Sequence, residues 1–361
     1  MSRAFNFSAG PAALPEPVLQ QARNELLEWR DERASVMEIS HRGKAFVACA
    51  EEAEADLRTL LSVPDDYAVL FLQGGATQHF AQIPMNIADP GQRAGYLVTG
   101  AWSQKAVSEA KPYVQADVLA STEAGSFTDV PDAGSFAATS DLAYLHYTPN
   151  ETIHGVEFNE IPDAGAVPLV ADFSSSILSR PIDVARHGII YAGAQKNIGP
   201  SGLVVLIVRK DLLERGGHPK AKVLTYAAQA KDGSMLNTPP TLSWYLAGLV
   251  FKWLKDQGGL AAMEQRNRAK AELLYGAIES SGGFYRNPVA VRARSLMNVP
   301  FTLVDAALDS AFLKESEAAG LLALKGHRAV GGMRASIYNA MPIEGVQALV
   351  SFMRDFAQRH G

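Results

Sequence analysis

The chain is poor in cysteine, in long apolar segments and in excess charge of one sign. It has one cysteine, Cys49, so an intrachain disulfide is impossible and a reducing compartment is the natural setting. The longest apolar run, residues 203–208, is far too short to span a bilayer, and no basic head followed by an apolar segment opens the chain. We therefore expect a cytoplasmic protein without a membrane span.

The charge balance and two missing motifs argue against several classes of ligand. The formal net charge of -5 gives no general electrostatic reason to bind nucleic acid. The chain has no G-x-x-x-x-G-K-[ST] loop, and no G-x-G-x-x-G follows the first predicted strand, so ATP and nicotinamide nucleotides lack their usual markers. We expect small-molecule substrates, and neither nucleic acid, membrane nor metal as a partner.

Short apolar runs alternate with longer amphipathic stretches, which predicts an α/β fold with a mainly parallel sheet covered by helices. The length of 361 residues favours two unequal domains, and a smaller α+β domain is expected after the Gly258-Gly259 pair. The predicted strands are residues 68–72, 95–99, 143–147, 168–173, 188–192, 203–209, 296–303 and 333–338. The predicted helices are residues 16–30, 44–61, 77–87, 103–111, 242–255, 261–280, 306–318 and 343–359.

One lysine lies in a loop of small residues between two predicted strands. Lys196 stands in Ala194-Gln195-Lys196-Asn197-Ile198-Gly199, between the apolar runs 188–192 and 203–208. Most lysines are solvated surface groups, and Lys196 taken alone is open to that interpretation. Burial among glycines and apolar strands would instead lower the pKa of its amine and make it a usable nucleophile.

An acidic residue ends the apolar run that precedes this loop. Asp172 follows Val170-Ala171 and comes before Phe173-Ser174. It is interpreted either as a turn cap, because Asp before Ser is good turn chemistry, or as the partner of a protonated pyridine nitrogen. An Asp that ends one strand and a Lys that follows the next strand can converge on one flat cofactor. We favour the second interpretation when Asp172 and Lys196 are considered together.

Three weaker signals fit the same kind of cofactor. The stretch Gln73-Gly74-Gly75-Ala76-Thr77 joins a predicted strand to a predicted helix whose free amides suit a phosphate, although a simple tight turn explains it equally well. Trp102 is interpreted as a residue that stacks on an aromatic ring or as a core residue. Thr152 is interpreted as a hydrogen-bond partner of a phenolic oxygen or as a turn cap.

Three arginines have an unusual sequence setting. Arg42, Arg328 and Arg334 lie near Gly or His in loops or at a strand start, rather than on solvated helix faces. Planar guanidinium groups match both carboxylates and phosphates bidentately. These arginines are interpreted as ordinary surface charges or, as we favour, as a site for a substrate that carries both anions.

Eight motifs occur in order along the chain: Asn6-Phe7-Ser8-Ala9-Gly10-Pro11, Ser40-His41-Arg42-Gly43, 73–77, Asn150-Glu151-Thr152, 171–175, 191–200, Asn237-Thr238-Pro239-Pro240 and 326–336. Together they resemble the phosphoserine aminotransferase family of class V, pyridoxal-phosphate-dependent aminotransferases. The resemblance runs from about residue 4 to the C-terminus, and its last three motifs are highly specific.

The resemblance implies the type I aminotransferase fold, with a seven-stranded, mainly parallel sheet in a large cofactor-binding domain at 16–258 and a small domain at 1–15 and 259–361. It implies pyridoxal 5'-phosphate as the cofactor and a homodimer with active sites at the subunit interface. Lys196 would hold the cofactor and move a proton at the substrate α-carbon, and Asp172 would pair with the pyridine nitrogen. The other implied cofactor contacts are Trp102 on the ring, Thr152 at its 3-hydroxyl, Ala76, Thr77 and Gln195 at the phosphate, and Asn237 and Thr238 from the partner subunit.

For the substrate, the resemblance implies that Arg334 binds the α-carboxylate and Ser8 lines the site. The implied phosphate-binding residues are His41, Arg42, His327 and Arg328. The implied reaction is transfer of an amino group from glutamate to 3-phosphohydroxypyruvate in serine biosynthesis. The related substrate 3-hydroxy-2-oxo-4-phosphooxybutanoate of pyridoxine biosynthesis is a further expectation. Some family members have an arginine in the phosphate-binding loop where this chain has Ala76-Thr77-Gln78-His79, and His79 is a candidate substitute.

Three alternative functions remain open on the sequence. A cysteine desulfurase of the same fold would need a nucleophilic cysteine in a mobile loop, whereas Cys49 lies in the predicted helix 44–61. A non-catalytic module that binds pyridoxal phosphate would not need the pair formed by Lys196 and Asp172. A nucleotide-dependent dehydrogenase is more distant, because its fingerprint is missing.

Overall fold

The computed structural model of the chain describes residues 3–132 and 134–361. Within these ranges there are fourteen strands and nine α-helices, and no helix is both long enough and apolar enough to cross a membrane. The strands are β1 Phe5–Asn6, β2 Tyr67–Gln73, β3 Arg93–Val98, β4 Gln115–Ser121, β5 Leu142–Tyr147, β6 Asn150–Glu151, β7 Val156–Glu157, β8 Leu169–Asp172, β9 Ile189–Gly193, β10 Leu203–Arg209, β11 Tyr285–Arg286, β12 Asn298–Leu303, β13 Leu321–Leu322 and β14 Met333–Ser336. The α-helices are α1 Glu16–Asn24, α2 Lys44–Leu61, α3 Ala76–Ile87, α4 Ala101–Ala110, α5 Tyr226–Lys231, α6 Thr241–Asp256, α7 Gly259–Glu279, α8 Asp309–Ala318 and α9 Ile343–His360.

A seven-stranded sheet forms the centre of the molecule, in the order β2-β10-β9-β8-β5-β3-β4. Strand β10 is antiparallel to both of its neighbours, and the other pairs are parallel. Side chains alternate between two apolar cores, one under α2 and α6 and the other under α3 and α4. On β8, for example, Ala171 belongs to the first core and Val170 to the second. The predicted α/β fold with a mainly parallel sheet is confirmed.

A separate apolar core lies among α7, α8, α9 and the three-stranded sheet β11-β12-β14. The N-terminal strand β1 pairs in parallel with β13, so that Phe5 lies opposite Leu321. This pairing joins the start of the chain to its last third. The division into 16–258 and 1–15 with 259–361 stays a proposal, and residues 1 and 2 lie outside the described residues.

One predicted helix is too long and one strand is missing from the prediction, each for an identifiable physical reason. The helix predicted at 16–30 ends at Asn24, because the chain then turns to bury Trp29 against Tyr245, which leaves Leu27 87% exposed. Strand β4 was not predicted. It is an edge strand on which Gln115, Val118 and Ser121 are exposed, so neither a clear alternation nor an apolar run marks it in the sequence.

The carboxyl ends of three neighbouring strands bring the functional loops together. The chain leaves β5 toward the short hairpin formed by β6 and β7, leaves β8 directly after Asp172, and leaves β9 toward Lys196. These strands are adjacent and parallel, so their ends lie along one edge of the sheet. The order of strands therefore collects side chains that are far apart in sequence.

A buried lysine anchors the turn that follows β14. Lys270 of α7 is 3% exposed, and its Nζ donates hydrogen bonds to the backbone oxygens of Ile337 at 2.9 Å, Tyr338 at 2.7 Å and Met341 at 3.0 Å. An ammonium has three donor hydrogens, and each has an acceptor here. Burial lowers the pKa of the Lys270 amine to about 7. Close contact with three carbonyl oxygens is the arrangement that stabilises its ammonium form.

The anchored turn supports the loop that carries Lys196. Within the turn, the backbone N–H of Asn339 donates to the side-chain oxygen of Asn197 at 3.1 Å. The side chain of Asn339 donates in turn to the backbone oxygen of Leu178 at 2.8 Å. Lys270 thus holds, through one buried turn, the residue next to Lys196.

We expect Lys270→Met to lower the free energy of unfolding by about 3 kcal/mol, because it leaves three carbonyl groups of the interior without donors. Denaturant unfolding followed by circular dichroism measures the change. Lys314→Met, at an exposed position on α8, is the matched control and is expected to unfold as the wild type does. Equal stability of Lys270→Met and wild type would contradict this account of the turn.

Candidate active site

The Lys196 amine points at a hydroxyl and lies near an aromatic ring. Its Nζ donates to Thr152 Oγ1 at 2.7 Å and is 5.7 Å from the centroid of the Trp102 ring. Burial lowers the pKa of the amine to about 8. The amine therefore holds its proton less firmly than an exposed lysine, whose pKa is about 10.4.

Three charged side chains act on this amine from different elements. The negative charges of Asp172 on β8 and Glu151 on β6 raise the pKa of Lys196 and oppose the effect of burial. The positive charge of Arg334 on β14 lowers it. Lys196 is thus placed among two carboxylates and one guanidinium, a set that can tune how readily the amine gains and loses a proton.

The N-terminal segment covers the stem of Lys196. A Cβ added to Gly10 would lie 3.6 Å from Lys196 Cγ, and the N–H of Ala12 donates to the backbone oxygen of Gln195 at 2.8 Å. Ser8 lies in the same segment, where its Oγ accepts from the N–H of Gly10 at 3.4 Å. The predicted substrate residue Ser8 therefore lies on the segment that covers Lys196.

Asp172 is a buried carboxylate with hydrogen bonds on one oxygen. Its Oδ1 accepts from the N–H of Ser174 at 3.0 Å and from the hydroxyl of Ser174 at 2.5 Å, and the hydroxyl oxygen accepts in turn from the N–H of Gly193 at 3.0 Å. Burial raises the pKa of the Asp172 carboxyl, while the positive charge of Lys196 and the Ser174 donors lower it. Asp172 and Lys196 therefore lie close enough to affect each other's charge.

The hairpin at residues 150–157, formed by β6 and β7, connects the parts of this site. Its Thr152 binds Lys196 through the side chain and accepts from Arg334 Nη1 through the backbone oxygen, at 3.3 Å. Its Glu151 accepts from the backbone N–H of Trp102 at 3.1 Å. Sequence reasoning did not single out Glu151, because its contact with the start of α4 joins residues that are 49 positions apart.

The glycine-rich loop before α3 has the form of an anion-binding turn. Gly74 has a φ of +102°, which favours glycine, and α3 begins at Ala76 without a side-chain cap. The first amides of an uncapped helix are free to bind an anion. The N–H of Gly74 donates to the backbone oxygen of Gly202 at 3.2 Å, at the end of the loop that contains Gln195 and Lys196. Ala76 and Thr77 thus begin a helix whose N-terminal turn is tied to the lysine loop.

His79 is not a substitute for an arginine in this loop. Its side chain is fully buried, and its Nδ1 is hydrogen-bonded to the hydroxyl of Tyr226 at 2.8 Å. Burial lowers the pKa of the His79 imidazole to about 3, so the ring is neutral near pH 7. It belongs to the core on one side of the sheet, where it cannot offer a positive charge to a substrate.

A cluster of basic side chains lies beside the lysine. The positive charges of Arg334 and Arg328 lower the pKa of His327, in addition to the larger effect of its burial. Burial also lowers the pKa of Arg334. The Arg334 side chain donates to a backbone oxygen, that of Thr152, so this contact does not neutralise its charge. Basic groups that repel one another in this way form a site for an anion.

The ring of His327 has a defined tautomer. Its Nδ1 accepts from the backbone N–H of Ala329 at 3.2 Å, so the single proton of the neutral ring is on Nε2. The lowered pKa of His327 favours this neutral form. The Nε2–H group is therefore the hydrogen-bond donor that His327 can offer to a ligand.

The other predicted site residues form a second group. Arg42 donates to His41 Nε2 at 3.3 Å and to the backbone oxygen of Met235 at 3.4 Å. Thr238 accepts through its backbone oxygen from the side chain of Gln73, the residue before the glycine-rich loop. Arg42, Asn237 and Thr238 are exposed. These residues lie together around residues 235–238. The hydrogen bonds of Arg42 and Thr238 are made in that region and not with Lys196.

Cys49 is poorly suited to nucleophilic chemistry. It lies on α2 with its side chain buried, as the sequence predicted. Burial raises the pKa of its thiol to about 11, so the reactive thiolate is scarce at neutral pH. This environment removes the basis for a cysteine desulfurase that uses Cys49.

Known proteins are similar to this chain over its whole length. Residues 4–349 match the family described as Aminotransferase class-V. A phosphoserine aminotransferase from Stenotrophomonas maltophilia strain K279a is 60% identical over 361 residues, which is 100% of both chains. The solved structure of a phosphoserine aminotransferase from Bacillus circulans subsp. alkalophilus is 48% identical, has a TM-score of 0.97 and covers 99% of each chain. A phosphoserine aminotransferase from Trichomonas vaginalis, solved with pyridoxal phosphate bound, is 43% identical, has a TM-score of 0.93 and covers 98% of this chain and 100% of that one.

The chain therefore belongs to the class-V aminotransferase family. It is a transaminase with the fold of the solved phosphoserine aminotransferases. The family and the fold that the sequence motifs indicated are confirmed.

Proposed function

We propose that this chain transfers an amino group from glutamate to 3-phosphohydroxypyruvate, giving O-phospho-L-serine and 2-oxoglutarate, with pyridoxal 5'-phosphate as its cofactor. The observation that carries the proposal is the set of basic groups at His327, Arg328 and Arg334 beside a lysine of lowered pKa. A substrate with a carboxylate and a phosphate matches such a set. The full-length relative that is 60% identical has this activity in its name. We extend the proposal to 3-hydroxy-2-oxo-4-phosphooxybutanoate, which carries the same two anions.

The residues present fit pyridoxal phosphate. They comprise an amine whose pKa is about 8, a buried carboxylate, and an uncapped helix N-terminus after two glycines. When bound, this cofactor supplies an electron sink for the negative charge that develops at the substrate α-carbon. We assign Lys196 to hold it, and Asp172 to keep its ring nitrogen protonated. We assign Trp102 to its ring face, Thr152 to its 3-hydroxyl, and Ala76, Thr77 and Gln195 to its phosphate.

Lys196 is suited to move the proton at the substrate α-carbon. As a free base the amine can accept this proton, and as an ammonium it can return it, which works best when its pKa is near the working pH. Its pKa of about 8 meets that condition. The hydroxyl of Thr152 fixes the direction of the amine at 2.7 Å.

The substrate anions have separate partners in this proposal. Arg334 is partly buried beside Thr152 and is assigned to the α-carboxylate. His327 and Arg328 lie on the loop between β13 and β14 and are assigned to the phosphate. Ser8, on the segment that covers Lys196, is assigned to the substrate site.

We further propose a homodimer whose two active sites each contain residues from both chains. His41, Arg42, Asn237 and Thr238 form the second group described above, around residues 235–238. Exposed polar and basic groups of this kind are available to complete the site of a second copy. In that arrangement His41 and Arg42 bind the substrate phosphate, and Asn237 and Thr238 bind the cofactor phosphate.

The central test is the visible spectrum of the full-length protein loaded with pyridoxal phosphate. We expect the cofactor band to shift on addition of glutamate or phosphoserine, and much less on addition of serine, because serine leaves the basic cluster unpaired. Lys196→Ala is expected to lose the shift and the transaminase activity. An equal response to serine and phosphoserine, or an active Lys196→Ala variant, would contradict the proposal.

The tautomer of His327 gives a second test with a matched pair of variants. In His327→Asn, the side-chain oxygen can still accept from the N–H of Ala329, but the donor at Nε2 is lost. In His327→Gln, an amide nitrogen can replace the Nε2 donor. We expect KM for phosphoserine to rise about tenfold in His327→Asn and less in His327→Gln, with little change in kcat, since the lost contact is a hydrogen bond to a charged group.

The reverse order of the two KM values would show that His327 acts by holding its loop and not by donating to the phosphate. Steady-state kinetics with phosphoserine and 2-oxoglutarate measures both constants.

Shared active sites are tested by mixing two inactive variants, Lys196→Ala and Arg42→Ala, by co-refolding. If Arg42 acts in the partner's site, half of the dimers are mixed and one of their two sites is intact, so about a quarter of the wild-type activity returns. A mixture of Lys196→Ala with Arg334→Ala is the control, because both residues serve the same site and no activity returns. Absence of rescue with Arg42→Ala would contradict the shared site.

A further inference from the structure

Glu151 is a fully buried carboxylate that the roles assigned above do not use. Its side chain is 0% exposed. Oε2 accepts from the N–H of Trp102 at 3.1 Å, and Oε1 accepts from the N–H of Ser103 at 2.8 Å and from the hydroxyl of Ser103 at 2.7 Å. Burial and the negative charge of Asp172 raise the pKa of Glu151, whereas the three donors favour its ionised form. A carboxylate with this set of donors is built to hold a charge inside the protein.

These contacts cap the helix that carries Trp102. Helix α4 begins at Ala101, and the residue before it, Gly100, has no side chain with which to cap the free amides. Glu151 fills that position from 49 residues further along the chain, and its negative charge suits the N-terminal end of the helix dipole. A Cβ on Gly100 would lie 2.5 Å from Glu151 Cδ, so only glycine leaves room for the carboxylate.

The same side chain acts on the lysine. Glu151 is followed by Thr152, whose hydroxyl accepts from Lys196 Nζ. The charged groups that act on this amine are Asp172 and Glu151, which favour its ammonium, and Arg334, which opposes it. Asp172 is assigned to pair with the ring nitrogen of the cofactor. Glu151 is then the other carboxylate whose negative charge can stabilise the ammonium form of Lys196.

We propose that Glu151 is a positioning residue that couples two parts of the active site: its carboxylate fixes Trp102 at the start of α4, and its charge stabilises the ammonium form of Lys196. The inference rests on the proposed function in taking Lys196 as the lysine that holds the cofactor. Glu151 itself touches neither reacting atom, and it acts through Trp102, Thr152 and Lys196.

The chain offers a matched control on the same hairpin. Glu157 is equally buried, accepts from the N–H of Leu296 at 2.8 Å and pairs with Arg180 at 2.9 Å. Glu157→Gln thus removes a buried charge from the 150–157 hairpin at a site where the carboxylate contacts neither Trp102 nor Lys196. Any effect that comes only from losing a buried carboxylate should appear in both variants.

The first measurement is the pH dependence of Lys196 acylation in the full-length protein. An amine-reactive reagent is applied across a pH series, and peptide mass spectrometry quantifies labelling at Lys196. Loading with pyridoxal phosphate should block it. The wild-type midpoint is expected near pH 8. Glu151→Gln removes a charge that favours the ammonium, so its midpoint is expected about one unit lower, with more free amine at pH 7. Glu157→Gln is expected to keep the wild-type midpoint.

The second measurement follows Trp102 by near-ultraviolet circular dichroism, as the difference between each protein and the same protein with Trp102→Phe. Glu151→Asp keeps the charge but is one methylene shorter, so it cannot reach both amides of α4. We expect this variant to retain most of the wild-type Lys196 midpoint and to lose much of the Trp102 signal. The two variants therefore separate the role of the charge from the role of the contact.

An unchanged Lys196 midpoint in Glu151→Gln, or an equal shift in Glu157→Gln, would overturn the proposal. If Glu151→Gln does not fold, Glu151→Asp decides: an unaltered Trp102 signal overturns the proposal, and a reduced signal with a normal midpoint supports it. None of these readouts requires turnover of phosphoserine. A protein that shows the expected shifts but does not act on phosphoserine would refute the proposed substrate and leave the role of Glu151 standing.

Discussion

The burial of one lysine amine is the constraint on which the active site depends. An ammonium group taken from water into the protein loses hydration, which lowers the pKa of Lys196 to about 8. A lysine in that state is useful as a base, but it needs partners that fix its direction and limit the loss of its charge. Thr152 supplies the direction, and the charges of Asp172 and Glu151 oppose the effect of burial. The parallel strand order is what brings these partners to one edge of the sheet.

The 150–157 hairpin carries much of this arrangement, although it contributes only two residues to each of its strands. Its Thr152 contacts Lys196 through the side chain and Arg334 through the backbone oxygen. Its Glu151 contacts the start of α4. The hairpin is itself held by Asn150, whose side chain donates to Ser175 at 2.7 Å and to Asn298 at 2.9 Å. Because one hairpin contacts both Arg334 and the start of α4, a shift of the hairpin would move Arg334 and Trp102 together.

The sequence predicts most of the sheet because its central strands are buried on both faces and appear as unbroken apolar runs. The run at 203–209 coincides with β10, and the pair formed by Asp172 and Lys196 follows from where two such runs end. Strand β4 could not be predicted, because an edge strand is partly exposed and does not need an unbroken apolar run. The role of Glu151 could not be predicted either, because the helix start that it contacts lies 49 residues earlier and comes near only in the folded chain. The burial of His79 could not be predicted, because its neighbours in the sequence form a polar motif that gives no sign of a core position.

The basic cluster explains how such a site can discriminate between substrates that differ by one phosphate. His327, Arg328 and Arg334 lie close enough for the two arginines to lower the pKa of the histidine, so the site combines two positive charges with a neutral His327 that can donate from Nε2. A phosphate balances these positive charges and forms charge-assisted hydrogen bonds, and the side-chain carboxylate of glutamate can do the same, whereas serine has no side-chain anion. A site that pairs with charged groups of a substrate discriminates more strongly than an apolar pocket of the wrong size. Selectivity for phosphoserine over serine therefore follows from the charge that this cluster presents and from the contacts that a phosphate can make with it.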